Sequence, residues 1–221
     1  MDKKQQTLDQ LIHQGILPLY FHPDPEVSVQ VLRALYRAGF RMVEYTNRGK
    51  DALDNFLKMR KIADEELPGL HLGAGTIRNK IEATEYINEG ADFLVSPGLS
   101  TSVADLADKN NLLWIPGCFT ASEIMQADDL GARLVKLFPG NLLGPSFISS
   151  IKEIFPNLLF MPTGGVETNK ENLQNWFTSG ASVVGMGSKL ISKSLLDAKD
   201  YDGIETLARQ TIQMIQEIRN Q

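Results

Sequence analysis

The strongest constraint in this 221-residue chain is a repeated alternation of a short apolar segment, a turn and a segment with apolar residues at helical spacing. The strand candidates are Ile16 to Phe21, Phe40 to Thr46, Leu70 to Thr76, Phe93 to Ser96, Leu112 to Ile115, Leu134 to Phe138, Leu158 to Pro162 and Ser182 to Met186. Helical patterns follow them: Val27, Val31, Leu32 and Leu35 closed by Gly39, then Ala52 to Ala63, Lys80 to Asn88 and the stretch around Val103 to Asp108. Four more follow: one opened by Thr120, with Glu123 three residues on as a capping-box signature, then Pro145 to Ile154, Glu171 to Ser179 and Ile204 to Ile218. Eight such units, most about 20 to 30 residues long, predict a single (β/α)8 TIM barrel over 1-221. Leu8, Leu11 and Ile12 add an N-terminal helix that ends at Gly15. A doubly wound open sheet is disfavoured, because no glycine-rich dinucleotide turn follows the first strand.

Composition removes several function classes. The net charge of -5 offers no basic field for nucleic acid or an anionic membrane, although a local basic pocket for a small anion stays open. Cys118 is the one cysteine, which excludes an internal disulfide and any thiolate cluster for zinc or iron-sulfur. His13, His22 and His71 are scattered, with no metal-ligand spacing, so no metal and no cofactor is expected. The opening residues lead into an amphipathic stretch unlike a signal peptide, and no run of about 18 apolar residues occurs. The expectation is a cytoplasmic protein with a small-molecule partner.

Within Leu134-Val135-Lys136-Leu137-Phe138 a lysine interrupts an apolar run. Alternation along a strand puts Lys136 on the same face as Leu134 and Phe138. An ammonium among apolar neighbours loses hydration, which favours the free amine, and the free amine attacks a carbonyl carbon to form a Schiff base. The competing reading is an edge-strand lysine that reaches water, and a closed barrel has no such edge.

In a barrel of this type the working face lies at the carboxyl ends of the strands. Polar and glycine residues gather there. Glu44 ends the apolar run of the second strand and is placed to move protons, with a rim carboxylate paired to Arg48 as the plain alternative. Arg48 offers a two-pronged donor for a substrate carboxylate, and Thr76, after Gly73 and Gly75, can donate a hydroxyl to it. Gly164-Gly165 and Gly187-Ser188 stand where such barrels often hold phosphate. Cys118 reads as a packing residue, and Trp114 and Trp176 as core or rim aromatics.

The blocks Glu44-x-Thr46-x-Arg48, Gly73-Ala74-Gly75-Thr76, Ser96-Pro97-Gly98, Pro116-Gly117-x-x-Thr120-x-x-Glu123, Lys136-x-Phe138-Pro139 and Pro162-Thr163-Gly164-Gly165 carry a resemblance. In order and together they resemble the signatures of the 2-keto-3-deoxy-6-phosphogluconate (KDPG) and 4-hydroxy-2-oxoglutarate (KHG) aldolases, from about Ile16 to Leu190. The resemblance implies a metal-free class I aldolase that cleaves a 2-keto-4-hydroxy acid to pyruvate and an aldehyde, usually as a homotrimer, in sugar-acid breakdown of the Entner-Doudoroff type. It implies Lys136 as the Schiff-base lysine and Glu44 as general acid/base. Arg48 and Thr76 would hold the pyruvyl carboxylate, Pro97, Phe138 and Thr163 would shape the pocket, and Gly164, Gly165 and Ser188 would take the phosphate.

Three positions depart from the family pattern. The first strand of relatives often ends in an arginine or lysine that helps bind phosphate, whereas Tyr20-Phe21-His22 stands here. Asn47 replaces an apolar residue or threonine, and Lys189 stands where many relatives carry tryptophan. Lys189 has two readings, replacing the missing charge or facing solvent. Two rival functions remain open on sequence: a phosphate-binding isomerase that uses Glu44 without covalent chemistry, and a non-catalytic sensor of a sugar acid.

Overall fold

The structure, a computed structural model, describes residues 2–220; positions 1 and 221, the ends of the expected unit, lie outside it. Among the described residues nine strands are present: β1 Ile16–Tyr20, β2 Met42–Thr46, β3 His71–Gly75, β4 Phe93–Val95, β5 Leu113–Ile115, β6 Gly117–Cys118, β7 Leu134–Leu137, β8 Leu159–Pro162 and β9 Val184–Met186. The helices are α1 Lys3–Gln14, α2 Pro25–Arg37, α3 Ala52–Glu66, α4 Lys80–Asn88, α5 Thr101–Lys109, α6 Ala121–Asp129, α7 Gly140–Leu143, α8 Pro145–Lys152, α9 Lys170–Thr178, α10 Lys193–Asp197 and α11 Tyr201–Arg219.

The ladders between these strands are parallel and fall into two sheets, β5-β4-β3-β2-β1-β9 and β6-β7-β8. The eight expected strands become nine because a further two-residue strand follows the expected fifth, Leu112 to Ile115: Pro116, which has no N–H, separates β5, paired to β4, from β6, paired to β7. The two sheets also touch at β8 and β9, where a single bridge joins Thr163 to Gly185. Strands are shorter than their apolar runs. Ser182 and Val183 both direct their N–H groups at the Phe160 carbonyl, so the last strand starts at Val184 and not at Ser182. The short helices α7 and α10 had no sequence signal of their own.

Core residues separate into two clusters, and the separation follows strand parity. Leu17, Met42, Phe93, Val95, Leu113, Ile115, Leu134, Met161 and Val183 form an inner cluster, together with Leu8 and Leu11 of α1. Ile16, Val43, Tyr45, Leu72, Leu94, Val135, Leu137, Phe160 and Val184 pack outward against the helices. Strands covered on both faces need apolar residues at every position, which is why the runs lack polar alternation.

Helix α1 covers one end of the inner cluster. Asp2 caps its start by accepting from the Lys4 N–H at 3.2 Å, and Gly15, at φ 75°, turns the chain out of it. Gln14, at the end of α1, is buried and bridges two strand starts. Its Nε2 donates to the Ile16 and Met42 carbonyls at 2.6 and 2.9 Å, and its Oε1 accepts from the Arg41 and Met42 N–H groups at 2.7 and 3.0 Å. All four of its amide valences are thus satisfied in a dry place.

Several inner positions are glycine because a neighbour occupies the space their side chains would take. A Cβ on Gly73 would lie 2.2 Å from Cε2 and 2.3 Å from Cζ of the fully buried Phe93 ring. Gly73→Ala is therefore expected to destabilise by about 1–3 kcal/mol, lowering Tm by roughly 2–10 °C in thermal unfolding. Adding Phe93→Leu should restore part of that loss, because the smaller side chain vacates the contested space.

Candidate active site

Lys136 lies on the inner face of β7, the same face as Leu134. Its residue exposure is 5%, so the edge-strand reading fails: the side chain points into the sheet's concave interior. Register sets its neighbours, Gly117 on one side and Met161 on the other. Across the interior stands Glu44 of β2, 0% exposed and flanked in register by Leu19 and Gly73. The Lys136 Nζ and Glu44 Oε1 are 3.8 Å apart. That is too long for a direct hydrogen bond and short enough for both groups to reach one shared hydroxyl. The Phe138 ring centroid lies 5.3 Å from the same Nζ, within cation-π range.

Neither oxygen of Glu44 has a hydrogen-bond partner, although both are buried. Unsatisfied buried oxygens are uncommon and costly, and they point to a polar group that arrives from outside. The Thr163 Oγ1, also buried on the way out of β8, is a third such atom. Burial holds the Glu44 carboxyl above the ordinary value of 4.5, a shift that the charges of Lys136 and Arg48 partly offset.

The space around this pair is kept by glycine. A Cβ on Gly75 would lie 1.9 Å from Glu44 Oε1, and one on Gly185 would lie 2.2 Å from Thr163 Oγ1. Next to Gly75, Thr76 sits at φ 62°, a left-handed conformation that a β-branched residue rarely adopts. Such a residue persists only where its surroundings enforce it, and here it fixes the direction of a hydroxyl at the end of β3.

The other expected residues are placed as follows. Arg48 is exposed just past β2 and makes no ion pair among the described residues, so the reading of Glu44 as its rim partner gives way to the Lys136 pair. Pro97 and Phe138 are half-buried past β4 and β7. Gly164 and Gly165, at φ 92° and 75°, follow Thr163, and Gly187 and Ser188 follow β9 at increasing exposure. Sequence reading missed Asn141 of α7, whose backbone and side chain lie against Gly164 and Gly165, because no spacing rule links the two segments.

The remaining candidates resolve into packing. Burial pushes the Cys118 thiol up to about 12, far from a reactive thiolate. Trp114 and Trp176 are both buried; Trp114 donates to the Ser96 hydroxyl at 3.0 Å. No group of three or more His, Cys, Asp or Glu side chains among the described residues is placed to hold a metal. Among the described residues no helix is long and apolar enough to cross a membrane.

Comparison with known proteins adds a family. The model for KDPG and KHG aldolases matches residues 9–207. A 2-dehydro-3-deoxy-phosphogluconate aldolase of Pseudoalteromonas atlantica is 32% identical over 89% of each chain. The KHG/KDPG aldolase of Escherichia coli is 32% identical over 90% of this chain and 91% of its own. Among solved structures, the 4-hydroxy-2-oxoglutarate/KDPG aldolase from TTHB1 superposes with a TM-score of 0.81 at 31% identity, covering 95% and 98% of the two chains. The KDPG aldolase of Legionella pneumophila, solved with pyruvate as a covalent carbinolamine, shares the fold at a TM-score of 0.85 and 23% identity over 93% and 98%.

The buried carboxyl gives stability a signed dependence on pH. Glu44 binds its proton more tightly in the folded chain than in the unfolded one, so its contribution is fully present below about pH 4.5 and is lost as pH rises through the folded value. Glu44→Gln removes that titration. As pH rises above about 4.5, the urea midpoint of the variant is expected to fall less than that of the unsubstituted protein.

Proposed function

The chain belongs to the KDPG and KHG aldolase family, and from that premise we propose that it is a class I aldolase that cleaves KDPG to pyruvate and glyceraldehyde 3-phosphate. Members of this family are carbon-carbon lyases, and 4-hydroxy-2-oxoglutarate, cleaved to pyruvate and glyoxylate, is the second substrate of the same class. The observation that carries the reading is the isolated, buried pair of Lys136 and Glu44, which matches in kind what imine chemistry needs: an amine shielded from water and a proton carrier within reach.

The chemistry runs through this pair. The Lys136 amine adds to the C2 carbonyl of the keto acid, and the resulting carbinolamine hydroxyl leaves as water after taking a proton from Glu44. The iminium that remains draws in the electron pair of the C3–C4 bond when the C4 hydroxyl gives up its proton to the Glu44 carboxylate, which then returns it to C3. The aldehyde departs, the enamine left behind is protonated at C3, and water releases pyruvate and regenerates the amine. A Glu44 carboxyl held above its ordinary range is a proton donor at the dehydration step and a base once it has donated.

Arg48 and Thr76 hold the pyruvyl carboxylate, with Pro97, Phe138 and Thr163 lining the pocket. The backbone of Gly164, Gly165, Gly187 and Ser188 takes the phosphate. The fold we infer is a closed (β/α)8 barrel with α1 as the plug at its base. Support comes from the continuous segment through Pro116 at one seam, and from the Thr163 to Gly185 bridge and the Ser182 to Phe160 hydrogen bond at the other. A homotrimer in the cytoplasm is what family membership suggests for assembly and location.

Pyruvate with borohydride is expected to add one reduced pyruvyl mass to the protein, and peptide mapping should place it on Lys136. Lys136→Ala should lose that adduct and at least about a thousandfold in turnover while still folding cooperatively, at an unfolding temperature shifted by the loss of the buried pair. Turnover that survives in Lys136→Arg would favour the non-covalent isomerase reading instead.

A further inference from the structure

Just past the glycines of the phosphate cradle the chain carries two opposite charges. Glu167 follows Gly165 by two residues and Lys189 follows Gly187 by two. The Lys189 Nζ and Glu167 Oε1 are 3.1 Å apart, so an ion pair ties the loop after β8 to the loop after β9. Glu167 is anchored from behind. Its N–H donates to Asn172 Oδ1 at 2.9 Å, and its Oε2 accepts from Asn169 Nδ2 at 3.1 Å, both at the start of α9. Lys189 has Glu167 as its ion-pair partner and is the more exposed of the two, with side-chain exposures of 60% and 44%. The lysine is thus the partner free to swing.

Lys189 is also the one cationic residue between β8 and α9 or between β9 and α10. The end of β1 carries Phe21 and His22 and no lysine or arginine, and the Phe21 ring packs on the β2 side, over Gly49 and with its centroid 5.8 Å from that of Tyr45. A phosphate dianion that reaches the cradle meets backbone N–H groups and an ammonium already neutralised by a fixed carboxylate, which itself repels the dianion.

We infer that the Glu167–Lys189 pair determines specificity at the aldehyde end, with Glu167 and the substrate phosphate competing for one lysine. The inference rests on the aldolase reading and names two specificity residues in it. Neither touches the reacting carbons. Glu167 weakens the preference for a phosphorylated substrate, and Lys189 supplies what preference there is.

The test measures kcat and KM for KDPG and for 4-hydroxy-2-oxoglutarate in the unsubstituted protein, Glu167→Gln, Lys189→Gln and the double variant, at low and high salt. Glu167→Gln is expected to raise the ratio of kcat/KM for KDPG over 4-hydroxy-2-oxoglutarate about three- to fivefold, mostly through KM for KDPG. The gain should shrink above about 0.15 M salt, where exposed charges are screened. Lys189→Gln should lower the ratio, and the double variant should return toward the starting value. A ratio unmoved by Glu167→Gln, or a shift indifferent to salt, overturns the inference. The pyruvate-borohydride adduct is measured on every sample: adducts with an unmoved ratio reject the specificity role alone, and no adduct in any sample rejects the aldolase reading beneath it.

Discussion

A lysine and a glutamate placed 3.8 Å apart inside a sheet are an expensive thing for a protein to hold. Each ion gives up several kcal/mol of hydration on burial, and at this separation, without further hydrogen bonds to Glu44, the attraction between them does not fully return it. The chain around the pair is built accordingly. Strands buried on both faces and α1 set across the end of the inner cluster provide the apolar burial that lets the interior tolerate such a pair. The same burial serves the chemistry, because a desolvated carboxyl keeps its proton more readily and the charges of Lys136 and Arg48 only partly offset this. Stability and chemistry pull against each other at one point.

Glycine sets how close the pair can come. Strand neighbours in register with Glu44 and Lys136 include Gly73 and Gly117, and diagonal to Glu44 stands Gly75. With any side chain at Gly75 the Glu44 carboxyl would have to move, and with any at Gly117 the Pro97 carbonyl, 2.4 Å from the added carbon, would have to move. The inner wall is therefore thin where the polar groups stand and thick where Phe93, Met42 and Leu134 fill it. That division of a single strand layer, apolar where these side chains pack and polar where glycine leaves room for Glu44 and Lys136, is what turns a core into a site.

Much of this was legible in the residues. Parity within Leu134 to Phe138 already put Lys136 on an inner face with Leu134, whereas Glu44, expected where its apolar run ends, is the middle residue of β2. The Thr120 and Glu123 capping box formed as its spacing predicted. What was not legible depends on contacts between distant segments. Nothing local in Gln14 says that it will bridge the starts of two strands, and nothing in Asn141 says that it will lie against Gly164. The expected fifth strand stopped at Ile115, before Pro116, and only the pairing on either side of that proline reveals the two-residue strand β6 beyond it. Lys189 had two readings, and its partner Glu167 lies on another loop altogether.

The two ends of the site differ in what they are made of. The Lys136 end is buried, built from side chains on strands and restricted by register, so a change there disturbs the fold as well as the chemistry. The outer end that we propose for the phosphate lies on the loops of Gly164, Gly165 and Gly187, with the exposed Glu167–Lys189 pair just past them, and side chains can change there with little effect on the core. Relatives near 32% identity retain the match along most of the chain, and the departures noted here, Phe21, Asn47 and Lys189, all lie at strand ends or beyond them. A fold arranged this way holds its reaction constant while the identity of the aldehyde is free to drift, because the atoms that break the bond and the atoms that choose the substrate are carried by structures of different stiffness.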